Sequence, residues 1–179
     1  MLLDQTAAAQ EAGPWKDAGT KDGVALAFRQ DPQSRLREVR ATTEMPFPPE
    51  QIYAVVCDFS RYGEFVPGIR EARTIDGSSP THYVAYLRYA PRFLVVAARD
   101  VVLQVQGGAE PDGAFGCRWS ALDGRLPVSE SAVRMPLDTG SWVAEPMNDG
   151  RTRVVYQVAA DPGGRLPGWL VRWGSTRAM

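Results

Sequence analysis

The chain has 179 residues, 44% hydrophobic and 23% charged, which suffices for one substantial core and does not demand a second domain. Its formal net charge is -1, from 20 Lys+Arg against 21 Asp+Glu, so it carries no electrostatic footprint for nucleic acid, which is excluded as a partner, or for an anionic membrane surface. One histidine, His82, excludes a multi-His metal site and leaves any Ser-His-Asp or Cys-His pair dependent on that single residue.

Residues 1–20 are rich in Ala, Gln and Gly and read as an extension, with a short helix over 2–11 running into Gly13-Pro14. Lys21-Asp22-Gly23 is a turn into a strand over 24–30, and Asp31-Pro32-Gln33-Ser34 turns it into a second strand over 36–43, making a hairpin. Pro48-Pro49-Glu50 opens a helix in which Ile52, Val55, Val56 and Phe59 fall at i, i+3, i+4 and i+7, one buried stripe. Strands are then expected over 69–75, 82–89, 95–106, 114–122, 131–137, 140–146 and 152–160. Turn signals such as Asp76-Gly77, Pro111-Asp112-Gly113, Asp123-Gly124, Asp138-Thr139-Gly140 and Asp149-Gly150 bound them. Consecutive strands with short turns predict an antiparallel meander. No Gly-rich phosphate loop and no strand-helix alternation is present, which argues against a dinucleotide-binding fold. The final segment, 165–179, carries Leu166, Trp169, Leu170 and Trp173 at helical spacing, a wide apolar face that must lie on something.

Cys57 and Cys117 fall in a predicted helix and a predicted strand, without a Cys or His at metal-ligand spacing, and read as two buried free thiols. No run approaches the ~18 apolar residues that cross a bilayer. The amino terminus has neither a basic start nor a sustained apolar stretch, so a soluble protein is expected, with cytoplasm and periplasm both open.

Within the run from Arg92 to Gln106, the pair Arg99-Asp100 interrupts an otherwise apolar strand. Alternation puts Arg99 on one face with Val101, Leu103 and Val105 and puts Asp100 on the other. A guanidinium among apolar neighbours is costly unless it is paired or meets a polar ligand group, so the position implies either a structural ion pair or a cavity.

The order of these pieces resembles the StAR-related lipid-transfer (START) branch of the helix-grip, Bet v 1-like superfamily. The residues that carry the likeness are Trp15-Lys16 with Asp22-Gly23-Val24, the run from Pro49 to Tyr62 (PEQIYAVVCDFSRY), Ala98-Arg99-Asp100, and Arg134 with Gly140-Ser141-Trp142 and Pro146. Asp161-Pro162-Gly163-Gly164 through Trp169-Leu170 completes the set. The resemblance implies an α+β helix-grip fold over 21–179: a long curved antiparallel sheet wrapped around a carboxy-terminal helix, enclosing an apolar cavity. It also implies that Arg99 is the inward polar group that meets a ligand's head, while a permanent acidic partner for Arg99 stays open. For Asp100 a backbone or arginine partner is expected, and for Arg134 a solvated or ion-paired role. Strand alternation adds Tyr86, Trp119 and Tyr156, whose rings combine apolar contact with a polar tip, and Val101 and Leu103 beside Arg99. Trp169 and Trp173 would close the cavity. The closing helix is shorter than is usual for the family, which would reflect a cut sequence, a more open cavity or completion by a partner subunit.

The function expected from the resemblance is binding and transfer of a hydrophobic small molecule, such as a lipid, a sterol or a polyketide-like compound. No catalysis, cofactor or metal is expected. Transient membrane contact and self-association through the last helix accompany that reading, and the closing helix and the turns at 123–130 and 138–140 would serve as gates. The alternatives are an aromatase/cyclase on the same scaffold, weakened by the single histidine, and an accessory module that binds a protein.

Overall fold

The computed structural model describes residues 13–30, 36–90 and 97–164. It is built on one large sheet, with strands β1 (Lys16–Lys21), β2 (Val24–Gln30), β3 (Arg37–Met45), β4 (Ile69–Ser79), β5 (His82–Tyr89), β6 (Ala98–Ala109), β7 (Phe115–Ala121), β8 (Ala132–Arg134), β9 (Leu137–Pro146) and β10 (Thr152–Asp161). The sheet order is β1-β2-β3-β10-β9-β7-β6-β5-β4, with β8 paired to β6 off that path. The last strand therefore lies beside the amino-terminal hairpin, and β4 forms the far edge.

The first hairpin follows from Asp22 and Gly23, whose positive φ values of 51° and 79° form the two-residue turn that matches strand twist. The strand that this turn closes, β1, takes up part of what the sequence reads as an extension. The sheet thus starts at Lys16 rather than after residue 20. The expected short helix over 2–11 and the closing helix over 165–179 lie outside the described residues.

Between β3 and β4 the chain crosses one face of the sheet as α1 (Pro49–Val56), a 3₁₀ turn (Phe59–Arg61) and α2 (Tyr62–Phe65). Prolines are tolerated at the start of α1 because the first helical N–H groups have no partner to lose. The expected four-residue stripe is interrupted. Ile52 packs on Ala144 and Val154, Val56 bridges to the main core, and Phe59 is buried, but Val55 is 52% exposed. The helix stops at Val56, so Phe59 reaches the core from a separate turn and helical spacing no longer relates the four residues.

The core side of the sheet gathers Phe59, Tyr62, Tyr83, Leu87, Val101, Leu103, Val105, Trp119 and Met135 in one cluster. The two cysteines are not free. Cys57, at the end of α1, forms a disulfide with Cys117 of β7, 60 residues away, and ties the helix to the sheet. Sequence spacing gave no hint of this, because the strands between them decide the meeting.

The meander is antiparallel except at one place. The segment expected as a single strand over 131–137 splits at Pro136, and β8 pairs parallel with the first residues of β6. β7 pairs with β6 only from Leu103 onward, which leaves the edge at Ala98 to Asp100 for β8. Asp138 and Gly140, read as a turn, instead belong to β9. No helix among the described residues is long and apolar enough to cross a membrane.

Candidate ligand-binding cavity

A cavity of about 750 Å³ lies between the helical crossing and the core face of the sheet. Its walls are Val56, Phe59, Tyr62 and Phe65 from the crossing, Leu87 and Tyr89 from β5, Arg99 and Leu103 from β6, Trp119 from β7, Met135 before β9, Asp138 and Trp142 from β9, and Tyr156, Val158 and Ala160 from β10. A second concavity, between α1 and β4–β5, mixes Tyr53, Ile75, Pro80 and Tyr83 with Asp58, Thr74, Asp76 and Ser79, a more polar lining than that of the first. The first has the composition of a ligand site: mostly apolar and aromatic walls with a few placed polar groups.

Four of the residues singled out from sequence, Arg99, Leu103, Trp119 and Tyr156, meet on this wall. Val101 shares their side of β6 but is fully buried in the core cluster and does not reach the cavity surface. Tyr86 points the other way. It packs with Val84 and Val102 under Leu122 and Leu126 on the opposite face, because β5 turns Tyr83, Ala85, Leu87 and Tyr89 inward. The signal was present in β5: the inward set carries no charge, whereas the face of Tyr86 also carries His82 and Arg88. The loop at 123–130, expected as a gate, contributes Leu126 to that opposite face and nothing to the cavity wall. Trp169 and Trp173 lie outside the described residues.

The adjacent charges separate as alternation requires. Asp100 is 1% exposed, on the side away from the cavity, where Arg134 donates from Nε to Oδ1 at 2.9 Å and from Nη2 to Oδ2 at 3.1 Å. Tyr86 donates its hydroxyl to the same carboxylate at 3.3 Å. Parallel pairing of Asp100 with Arg134 across β6 and β8 sets this geometry. The acidic partner conceived for Arg99 is thus absent among the described residues. Arg99 donates instead to three backbone carbonyls, Ala97 at 2.5 Å, Pro162 at 3.3 Å and Gly163 at 3.4 Å. The Pro162-Gly163-Gly164 turn can present the last two of these carbonyls because both glycines take positive φ, and Asp161 Oδ1 accepts from the Gly163 N–H. Arg99 therefore stitches the start of β6 to the end of β10 at the cavity rim.

Inside the cavity, Trp142 donates its indole N–H to the Tyr62 hydroxyl at 3.0 Å, and Tyr62 donates onward to the Val56 carbonyl at 2.5 Å. Tyr156 lies between Trp142 and Trp119, tilted against the first and stacked on the second, with ring centroids 4.4 and 5.9 Å away. Burial pushes the phenols of Tyr62, Tyr89 and Tyr156 well above their ordinary value, so all three stay protonated. The buried acid of the cavity is Asp138, which accepts from Trp119 Nε1 at 2.9 Å. Desolvation pushes its carboxyl up to about 6, against the opposing pull of that hydrogen bond. Sequence reading missed Asp138 by ending the strand at Gly140. Two more residues of alternation would have put it on the same face as Trp142.

Among the described residues no cluster of three or more His, Cys, Asp or Glu side chains could hold a metal ion. The polar groups suit hydrogen bonding to an organic ligand.

Residues 45–179 match the family model described as polyketide cyclase/dehydrase and lipid transport. The chain is 30% identical over 169 residues to mouse StAR-related lipid transfer protein 8, covering 90% of this chain but 16% of that much longer protein. An uncharacterized protein of Pseudomonas aeruginosa is 27% identical over 161 residues, 89% of this chain and 78% of that one. Among solved structures, a fragment of the STAR-related lipid transfer protein of Xanthomonas axonopodis superposes with a TM-score of 0.80 at 26% identity, covering 91% of this chain and 90% of that one. Human StAR-related lipid transfer protein 5 gives the same TM-score, 0.80, at 18% identity over 95% of this chain and 83% of that one, a likeness of fold. The chain belongs to the polyketide cyclase/dehydrase and lipid transport family and folds as a START, Bet v 1-like domain.

Proposed function

We propose that this protein binds one hydrophobic small molecule in the cavity beneath α1 and α2 and carries it without chemical change. The observation that supports this is the aromatic and aliphatic wall around about 750 Å³, a volume within the range of small-molecule sites. Burial of apolar ligand surface at ~25 cal/mol per Å² supplies affinity, and the few polar groups orient the molecule. Arg99 at the rim keeps two of the five guanidinium N–H groups beyond those given to carbonyls, enough to meet a ligand's polar end.

A second reading is favoured by Asp138. A carboxyl raised to about 6 inside an apolar cavity is suited to general acid-base work on a polyketide-like compound. Organic extracts of protein purified from its native host separate the two by mass spectrometry. An intact lipid that survives incubation with the protein supports carriage, and conversion of the extracted molecule overturns it. Repeated recovery of protein with no ligand would turn the assignment toward a protein-binding module.

The disulfide bears on compartment. A buried Cys57–Cys117 bond fits a protein that folds where thiols are oxidised, so we assign it to the periplasm or beyond rather than to a reducing cytoplasm. Thiol titration of denatured protein, isolated under alkylating conditions, is expected to find neither cysteine free. Two free thiols would reverse the assignment.

A further inference from the structure

Asp138 is 5% exposed and faces the cavity from the first turn-ward residues of β9, opposite Ala160 of β10. Its Oδ1 takes the Trp119 indole N–H, while Oδ2 has no hydrogen-bond donor among the described residues. No buried side-chain polar atom among them is sealed off without a partner, so this oxygen keeps accessible surface on a residue that lines the cavity. The site is built. A Cβ at Gly140 would overlap Trp119, so glycine at that position is what lets the indole lie against β9 and reach Asp138. The hydroxyls of Tyr89 and Tyr156 share the cavity and likewise lack hydrogen-bond partners among the described residues.

We propose that Asp138 is the specificity-determining acceptor of the cavity, selecting a neutral amphiphile with a hydroxyl or N–H donor over one with a carboxylate, sulfonate or phosphate head. This rests on the cavity being a ligand site. A ligand donor placed at Oδ2 satisfies an acceptor that burial has stripped of water. An anionic head at the same place meets like charge where little water screens it, which is discrimination by repulsion. The groups that face Asp138 do not change charge near neutral pH. Tyr62 on α2, Tyr89 on β5 and Tyr156 on β10 are held protonated by burial, Trp119 on β7 does not titrate, and Arg99 on β6 lines the same cavity from its rim, held there by three backbone carbonyls. Rejection of anions is accordingly full at pH 8 and fades as the pH falls through about 6, where Asp138 takes up its proton.

Two fluorescent probes of one skeleton test this: N-phenyl-1-naphthylamine, neutral with an N–H, and 1-anilinonaphthalene-8-sulfonate, a permanent anion. The quantity read is the fluorescence that dodecan-1-ol displaces. For the wild-type protein, affinity for the sulfonate is expected to rise about tenfold from pH 8 to pH 5, while the neutral probe changes by less than about threefold. Asp138→Asn is expected to bind the sulfonate at pH 8 as the wild type does at pH 5, with no remaining pH dependence. The wild-type titration stands even if the variant folds poorly. If dodecan-1-ol displaces neither probe, the cavity reading and this inference fall together. If it displaces both, and sulfonate affinity ignores pH and the substitution alike, the assignment of Asp138 alone is overturned.

Discussion

Two buried aspartates, Asp100 under the outer face of the sheet and Asp138 in the cavity, show opposite ways of keeping a carboxylate out of water. Asp100 is 1% exposed and receives three donors, two from Arg134 and one from Tyr86. Asp138 is 5% exposed and receives one, from Trp119, with no ion pair among the described residues to offset its burial. Depth is nearly the same, and donor count differs. A carboxylate whose oxygens are all occupied holds the fold together, whereas one left with an open oxygen is destabilising and available to something that enters. Burial alone therefore does not tell a structural charge from a functional one.

The largest effect should come from breaking the satisfied pair. Asp100→Asn or Arg134→Leu leaves a buried polar group without its partner, and is expected to lower unfolding free energy by about 3–5 kcal/mol in urea titrations at pH 7. Replacing both, as Asp100→Leu with Arg134→Met, should recover most of that loss. A single substitution costing under about 1 kcal/mol would mean that the pair is not structural and would erase the contrast. On the cavity side the corresponding tie is covalent. Removing the bridge by Cys57→Ala with Cys117→Ala, across a separation of 60 residues, is expected to cost about 4 kcal/mol on the chain-entropy estimate. No change in the urea midpoint on substitution would show that apolar packing alone holds α1 on the sheet.

Much of this contrast can be traced to what a linear reading can and cannot see. Periodicity located α1 and most of the sheet strands, and alternation separated Arg99 from Asp100 correctly, since both signals are local. The partner of Asp100 was not local: Arg134 arrives through a short parallel strand that exists only because β7 leaves one end of β6 unpaired. Asp138 was hidden by its own sequence. Asp-Thr-Gly is turn chemistry, and here the glycine serves instead to admit an indole ring, a requirement set by Trp119 on another strand. Cys57 and Cys117 failed for the same reason, because their meeting depends on strand order rather than on spacing.

Asp138→Asn sharpens the comparison by reversing its sign: unlike Asp100→Asn, it should stabilise. Its carboxyl rises from 3.8 to about 6 on folding, so the native state holds a proton between those values that the unfolded chain releases. Stability contributed by this group is then full below about pH 4 and is lost as the pH rises through 6. The size of the loss is roughly 3 kcal/mol. Asparagine keeps an oxygen for Trp119 and carries no charge, so the variant should exceed the wild type by up to roughly 3 kcal/mol at pH 8 and by nothing at pH 4. Thermal unfolding at the two pH values gives the difference directly. A gap that stays constant with pH would mean that Asp138 is ordinarily hydrated in the folded protein.

The smallest expected effect asks whether Trp119 and Asp138 act as one unit. In Gly140→Ala the new methyl would overlap both the Gln157 carbonyl oxygen and the Trp119 ring, and the backbone of β10 is the less able to give way. The indole must move, at an overpacking cost of about 1–3 kcal/mol. It then withdraws the one N–H that Asp138 accepts, which leaves the carboxylate more exposed to the penalty of burial. In the Asp138→Asn background there is no charge left to abandon, so the same alanine should cost less. Coupling of more than about 0.5 kcal/mol at pH 8, shrinking toward zero at pH 4, is the signature of a glycine that serves the carboxylate through the tryptophan. Costs that add independently of pH would make Gly140 a packing residue alone, and Asp138 would then owe nothing to the strand that carries it.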